Sequence, residues 1–205
     1  MLGEPTSTWR ESRREAAIAT ILDAAWALAR RDGVAALSLS EVARTVGMKP
    51  PSLYSYFESK AALYDAMFAQ GYREFIARDV SAAMAPGATL RDALRVGMGR
   101  FLSFSVEDPA RHQLLFQRTI PGFVPSEASM AVANEAYGQT RAYLAAHGIT
   151  EQADLDLLTA VSTGLADQQI SNDPGGDRWL RQLDRAVDML AAALERRPTK
   201  KRGKR

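Results

Sequence analysis

Cysteine is missing from all 205 residues. Its absence excludes a disulfide frame, a thiolate nucleophile and any zinc site built on sulfur, and it agrees with a reducing compartment such as the cytoplasm. Histidine is scarce as well. His112 and His147 are isolated from any strong metal-ligand cluster, so both read as surface or helix-capping residues and no metal site is expected. No apolar run approaches the roughly 18 residues that cross a bilayer, and the opening MLGEPTSTWRESRREA has no apolar stretch of the secretory kind. The expectation is a soluble, cytoplasmic chain with no membrane partner.

Charge of one sign is also lacking. Residues 1–84 hold 10 basic and 10 acidic side chains, residues 85–197 hold 11 and 14, and the tail PTKKRGKR holds five basic side chains, so the net charge of +2 arises entirely at the C-terminus. Bulk charge therefore gives no case for a nucleic-acid partner, and placement must make it. Catalytic signatures are missing too: PGGD at residues 174–177 lacks the Gly-Lys-Ser/Thr ending of a phosphate-binding loop, and no nucleophile-base pair stands out. Neither an enzyme nor a cofactor is expected.

Helical periodicity is abundant, and no strand-like alternation or internal repeat occurs. Ile18, Ile21, Leu22, Ala25 and Leu28 or Ala29 follow the spacing of one buried helix face over about residues 12–32, ending at Gly33. SLSE at 38–41 has the form of a capping box, in which Ser38 receives the Glu41 amide while the Glu41 side chain returns to Ser38. Leu39, Val42, Ala43 and Val46 then give a short helix closed by Gly47. Pro50 and Pro51 fit the first turn of another helix, where a missing amide hydrogen loses nothing. Leu53 and Phe57 point inward. Ser59 is the expected N-cap of a long helix running to about residue 84, ahead of Pro86-Gly87.

Beyond residue 87, five helices are expected. Asp108-Pro109 reads as a cap and first turn, Ser126 as another cap, Gly148 as a helix end and NDPGGD at 172–177 as a turn. A helix over about 152–171 mixes Leu155, Leu158, Val161 and Leu165 with small residues. The last helix, 179–196, spaces Leu180, Leu183, Val187, Leu190 and Leu194 by threes and fours, a seam for packing against other helices.

Two short helices joined by a Gly-containing turn, with longer helices on both sides, describe a helix-turn-helix whose second helix enters a DNA major groove. Lys49, Pro51, Ser52 and Ser55 occupy its outward face. Serine can bond several base edges and proline can rest on a thymine methyl. Tyr54, Tyr56 and Lys60 can reach phosphates, which sets register. Tyr54 could instead be a half-buried core aromatic. Arg10, Arg13 and Arg14, interleaved with Glu11 and Glu15, could be a DNA-contacting arm or a solvated helix end. The tail from Pro198 reads either as a polyanion-attracting arm or as a solubilising segment.

The run covering roughly residues 15–68, most specifically SLSEVARTVGMKPPSLYSYFESKAAL, resembles the DNA-binding region of the TetR family of transcriptional regulators. The resemblance implies an all-α fold of about nine helices: a three-helix helix-turn-helix region with an N-terminal arm in residues 1–58 and an effector-binding and dimerisation domain in 59–197. The basic tail 198–205, which follows Pro198 and contains Gly203, is expected to be disordered. By position it puts base contacts at Pro51 and Ser52 with Lys49 and Pro50 beside them, phosphate contacts at Tyr54, Tyr56 and Lys60, and a DNA contact at Ser40. Ser55 joins them on the outward face. Pro50 stands where the family often has Gly, Ala or Gln, which removes a side-chain hydrogen bond and bears on the operator sequence.

The resemblance further implies a homodimeric repressor released from double-stranded palindromic DNA by a small, largely apolar effector. An effector pocket would draw on Phe101, Phe104, Leu115, Phe116, Phe123, Met130 and Tyr137. The dimer interface would use the last two helices through Leu158, Val161, Leu165, Leu180, Leu183, Val187, Leu190 and Leu194. A constitutive DNA-binding protein, or a helical small-molecule-binding protein with a degenerate DNA module, would share many of these features.

Overall fold

A computed structural model describes residues 6–78, 80–81 and 85–196. Among these are nine α-helices and no strand: α1 Thr6–Asp32, α2 Leu39–Thr45, α3 Pro50–Leu53, α4 Lys60–Ile76, α5 Leu90–Glu107, α6 Pro109–Phe116, α7 Glu127–Ala146, α8 Gln152–Asn172 and α9 Leu183–Glu195. The basic tail lies outside the described residues. Packing groups the chain into two compact units, Met1–Glu74 with Asp108–Ala133 and Phe75–Glu107 with Asn134–Arg205. These packing limits differ from the sequence division at residue 58, because α4 and α7 each contribute to both units.

In the first unit, the inward faces of α1, α2 and α3 supply Ile21, Ala25, Val42, Ala43 and Leu53, each fully buried. A large aliphatic side chain in such a place contributes about 1.5–3 kcal/mol by leaving water. Hydrogen bonds fix the helices around this core. Tyr64 donates its hydroxyl to the Val34 carbonyl at 2.6 Å, and the Trp26 indole donates to Gln70 Oε1 at 2.9 Å. Gly71 packs closely within this unit: a Cβ there would lie 2.8 Å from Leu115 Cδ1, so the Leu115 side chain would have to shift.

Local capping is largely as the residue types dictate. Asp108 accepts from the Arg111 amide at 3.1 Å and its carboxylate also pairs with Arg30 at 2.7 Å, tying the start of α6 to the end of α1. Ser59 Oγ accepts from Ala62 at 3.1 Å, and Ser126 Oγ accepts from Ser129 at 3.2 Å. Asp65 on α4 receives the Ser126 amide and the hydroxyls of Ser126 and Ser129, so one carboxylate organises the start of α7.

The second unit is built on α5 packed against α8 and α9. Leu94, Met98, Leu144, Leu155, Leu158, Val187, Leu190 and Leu194 form its core. The Tyr143 ring closes over Gly97, where a Cβ would sit 2.0 Å from the phenol oxygen. Arg91–Asp188 and Arg95–Asp184 pairs decorate the exposed α5–α9 edge and add little, as solvent-facing pairs generally do.

Five expectations need correction. Helix α1 begins at Thr6, so Arg10, Arg13 and Arg14 are helical residues rather than residues ahead of a helix. The capping box at Ser38 is not made: the Ser38 backbone carbonyl takes both the Glu41 and Val42 amides, and the Glu41 carboxylate pairs with Arg31 at 2.6 Å, a stronger charge-assisted bond. Helix α4 stops at Ile76 instead of near 84; the Arg78 amide closes the final turn on the Phe75 carbonyl, and Asp79, Val80 and Ser81 are weak helix formers. The last helix opens as a 3₁₀ turn, Leu180–Gln182, before α9. His112 is neither at the surface nor a cap. It is fully buried, with its ring against Phe116 at 5.5 Å, because it shares an inward face with Leu115 and Phe116 at steps of three and four.

Candidate nucleic-acid interface

Helices α2 and α3 are joined by a left-handed Gly47, φ 70°. Its amide bonds Arg44 O and the Met48 amide bonds Ala43 O, a Schellman closure that ends α2 sharply and turns the chain into α3. Glycine adopts that φ at the least steric cost. Pro50 and Pro51 then start α3, Lys49 standing before them as N-cap in an extended conformation. Beyond Ser52 the backbone tightens, with Ser55 bonding Ser52 O and Tyr56 bonding Leu53 O at three-residue steps. Leu53 and Phe57 face inward as expected, at 0% and 6% exposure.

The opposite face is open. Ser40 in the first turn of α2, Lys49, Pro50, Pro51 and Ser52 at the start of α3, and Tyr54 and Ser55 just after it are all exposed. Tyr54, at 52% exposure, is not a core aromatic. Ser55 is partly committed: its hydroxyl donates to Ser52 O at 2.7 Å, so toward a base it can only accept. Tyr56 and Lys60 are half-buried. Lys60 donates one hydrogen to the Ala35 carbonyl at 2.9 Å and lies 5.4 Å from the Tyr64 ring centre, which orients the ammonium while leaving two donors.

Arg14 also belongs to this surface, a place that its spacing alone left open between a DNA-contacting arm and a solvated helix end. Its guanidinium donates to Ser55 O at 3.2 Å and stacks 5.1 Å from the centre of the Tyr56 ring. The preceding turn carries Arg13 over the exposed Trp9 at 4.6 Å. The i, i+3 and i+4 spacing of Arg10, Arg13 and Arg14 was the legible signal; contact with α3 was not.

A short, exposed, amide-tight helix set after a glycine turn and braced by three longer helices defines a helix-turn-helix DNA-binding protein on an all-α scaffold. Residues 21–67 match the family model described as bacterial regulatory proteins, tetR family. This stretch is thus similar to the DNA-binding region of that family of transcriptional regulators. Over 169 residues it is 27% identical to the HTH-type transcriptional repressor KstR of Rhodococcus jostii (strain RHA1), covering 82% of this chain and 75% of that protein. The fold is shared with the crystal structure of putative regulatory protein SCO4313, at TM-score 0.70 and 22% identity, covering 88% of this chain and 97% of the other. It is shared also with a TetR variant from Acinetobacter baumannii AYE in complex with minocycline, at TM-score 0.57 and 19% identity, covering 87% and 96%.

The residues expected around an effector divide between the two packing units. In the first, Phe116 stands 5.8 Å from the Tyr72 ring, Phe123 stands 5.5 Å from Tyr64 and 6.5 Å from Phe68, and Leu115 is buried; Met130 is 39% exposed. Burial pushes the Tyr72 phenol up to about 12, so it is a neutral hydroxyl, donating to Leu115 O at 3.3 Å. In the second unit, Phe101 and Phe104 gather on Phe75 at 6.5 and 5.0 Å, edge to face, whereas Tyr137 is 39% exposed and bonded to Gln152. Arg100 stands in this aromatic group and was missed in the sequence. Its spacing, three after Gly97 and four before Phe104, was the available signal. A separate open cavity of about 390 Å³ lies along Gly138, Arg141, Ala142, Ala145, Ile149, Thr150 and Leu155.

Among the expected interface residues, Leu158, Val187, Leu190 and Leu194 are consumed in the core of their own unit, where α9 presents its seam to α5 and α8. Val161, Leu165, Leu180 and Leu183 remain half-buried. Among the described residues no helix is long and apolar enough to cross a membrane, and no three His, Asp or Glu side chains gather as metal ligands.

Proposed function

We propose that the chain is a homodimeric repressor that reads a pseudo-palindromic operator and is released from it by a small, largely apolar effector. The exposed face of α3 supports this most strongly, because it leaves Lys49, Pro50, Pro51 and Ser52 open beside Ser40 while Leu53 and Phe57 anchor the same turn from behind. In this reading Pro51, Ser52 and Ser55 read base edges, and Tyr54, Tyr56, Lys60 and Arg14 hold phosphates. Residues 1–58 act as the reading module and 59–197 as the effector and dimer region.

The dimer face we assign differs from the leucine seam. Leu157, Ala160, Val161, Gly164 and Leu165 recur at steps of three and four along α8, all exposed or half-buried, and Met189 on α9 is 65% exposed. The open surface at Gly164 permits close approach of a second helix. Two such faces would set the half-sites one helical turn, about 34–36 Å, or a multiple apart. An effector preferring a dimer with another spacing lowers DNA affinity by its own coupling factor. Light scattering after size exclusion, at the concentration used for DNA binding, tests the dimer: a mass near 45 kDa, twice the 22.4 kDa chain, supports it, and a 22.4 kDa particle that still binds palindromic DNA as a monomer overturns it.

A further inference from the structure

Within the second unit, the guanidinium of Arg100 is buried with no anionic partner among the described residues. Arg100 on α5 is 7% exposed, and among the described residues no protein group accepts a hydrogen bond from its Nη1 or Nη2. The guanidinium rests on the Phe75 ring, 4.0 Å from its centre, with Phe101 and Phe104 packed on the same ring. Four described carboxylates on α5 and α9 have partners of their own: Glu107 pairs with Arg78, Asp92 with Thr89, Asp184 with Arg95 and Asp188 with Arg91. Arg78 itself lies over Phe104 at 5.0 Å.

A folded chain seldom retains a buried guanidinium with its fork unused. A ring face stabilises a cation but accepts nothing from the two terminal nitrogens. Burial holds Arg100 below the ordinary arginine range, with the Tyr143 phenol partly offsetting this and Arg78 adding to it. The phenol of Tyr143 is raised by burial in turn and lowered by Arg100 and Thr140.

We infer that the effector is an organic acid whose carboxylate pairs end-on with Nη1 and Nη2 of Arg100 and whose apolar body lies against Phe75, Phe101 and Phe104. The inference rests on the effector reading above. Two parallel N–H donors match the two oxygens of a carboxylate, a geometry that lysine or a neutral donor does not reproduce. Both nitrogens are closed from solvent, so the acid reaches them as the guanidinium leaves the Phe75 ring. Phe75 is the penultimate residue of α4, the helix that begins at Lys60 directly after the reading segment. Exchange of ring for carboxylate thus acts on a helix whose other end belongs to the DNA surface.

Thermal unfolding of the full chain and of Arg100→Met and Arg100→Lys tests this, with octanoate, decanoate, dodecanoate and 4-phenylbutyrate as probes and their methyl esters as neutral counterparts. Without a probe, Arg100→Met melts above the wild type, because an unmatched buried charge has been removed. At least one acid raises the wild-type midpoint while its ester does not, and Arg100→Met binds that acid at least about tenfold more weakly. Arg100→Lys, which keeps the charge but not the fork, folds normally and also loses affinity. An Arg100→Met midpoint below the wild type, no response to any acid, or equal response to acid and ester overturns the assignment. Anisotropy with labelled operator separates the two layers: an acid that binds through Arg100 without releasing DNA defeats the effector reading alone, and release by the esters alone defeats the acid site alone.

Discussion

The guanidinium of Arg14 stacks on Tyr56, 5.1 Å from the ring centre, and donates to the backbone carbonyl of the adjacent Ser55. One side chain from α1 thereby holds the end of the reading segment, where the last backbone bonds are the short-step Ser55–Ser52 and Tyr56–Leu53 contacts. A four-residue helix has little stability of its own, so such bracing matters more here than in a long helix.

Arg14→Ala should weaken operator binding by about 1 kcal/mol, roughly fivefold, through loss of the cation–π contact and one hydrogen bond. Fluorescence anisotropy at fixed salt measures it. Unchanged affinity would mean that the segment holds its shape without Arg14.

Tyr54 and Lys60 have a different expected signature. The double change Tyr54→Phe with Lys60→Ala should weaken binding to related and unrelated duplexes alike and make the salt dependence shallower by about one charge. A loss confined to one sequence would move both residues from phosphate contact to base reading.

The dimer assignment separates two classes of leucine. Leu157→Glu with Met189→Glu alters exposed positions and should give folded monomers of nearly unchanged helicity. Leu190→Ala empties part of a core and should cost about 2–5 kcal/mol of stability while the surviving folded protein stays dimeric. Circular dichroism and light scattering read both, and monomers from the second variant but not the first would restore the leucine seam as the interface.

Much of the fold is legible because local rules and tertiary packing agree. Gly47, Ser59, Asp108, Ser126 and Gly148 all sit where their side chains, or lack of one, satisfy a helix end. The failures have physical causes. The Ser38 box yielded to a charged partner, Arg31, which lies 10 residues before Glu41 and cannot be paired with it by a local motif. The α9 seam was visible as a seam, but periodicity states only that a face is buried, not whether the same chain or a second one buries it. His112 followed the inward spacing of α6, yet residue type argued for the surface. At the DNA surface the inward pair Leu53 and Phe57 could be read from a four-residue step, and exposure of the rest followed. Arg14 and Arg100 were hidden because their significance depends on contacts with residues 42 positions later and 25 positions earlier in the chain.

Selection of bound duplexes from random DNA by the purified protein, at a stated salt concentration, tests the DNA-reading role most directly. The account predicts an inverted repeat whose half-sites are centred about one helical turn, or a multiple of it, apart, and whose base preferences shift in Ser52→Ala. Enrichment of no sequence by a folded dimer, or a profile untouched by Ser52→Ala, would contradict it.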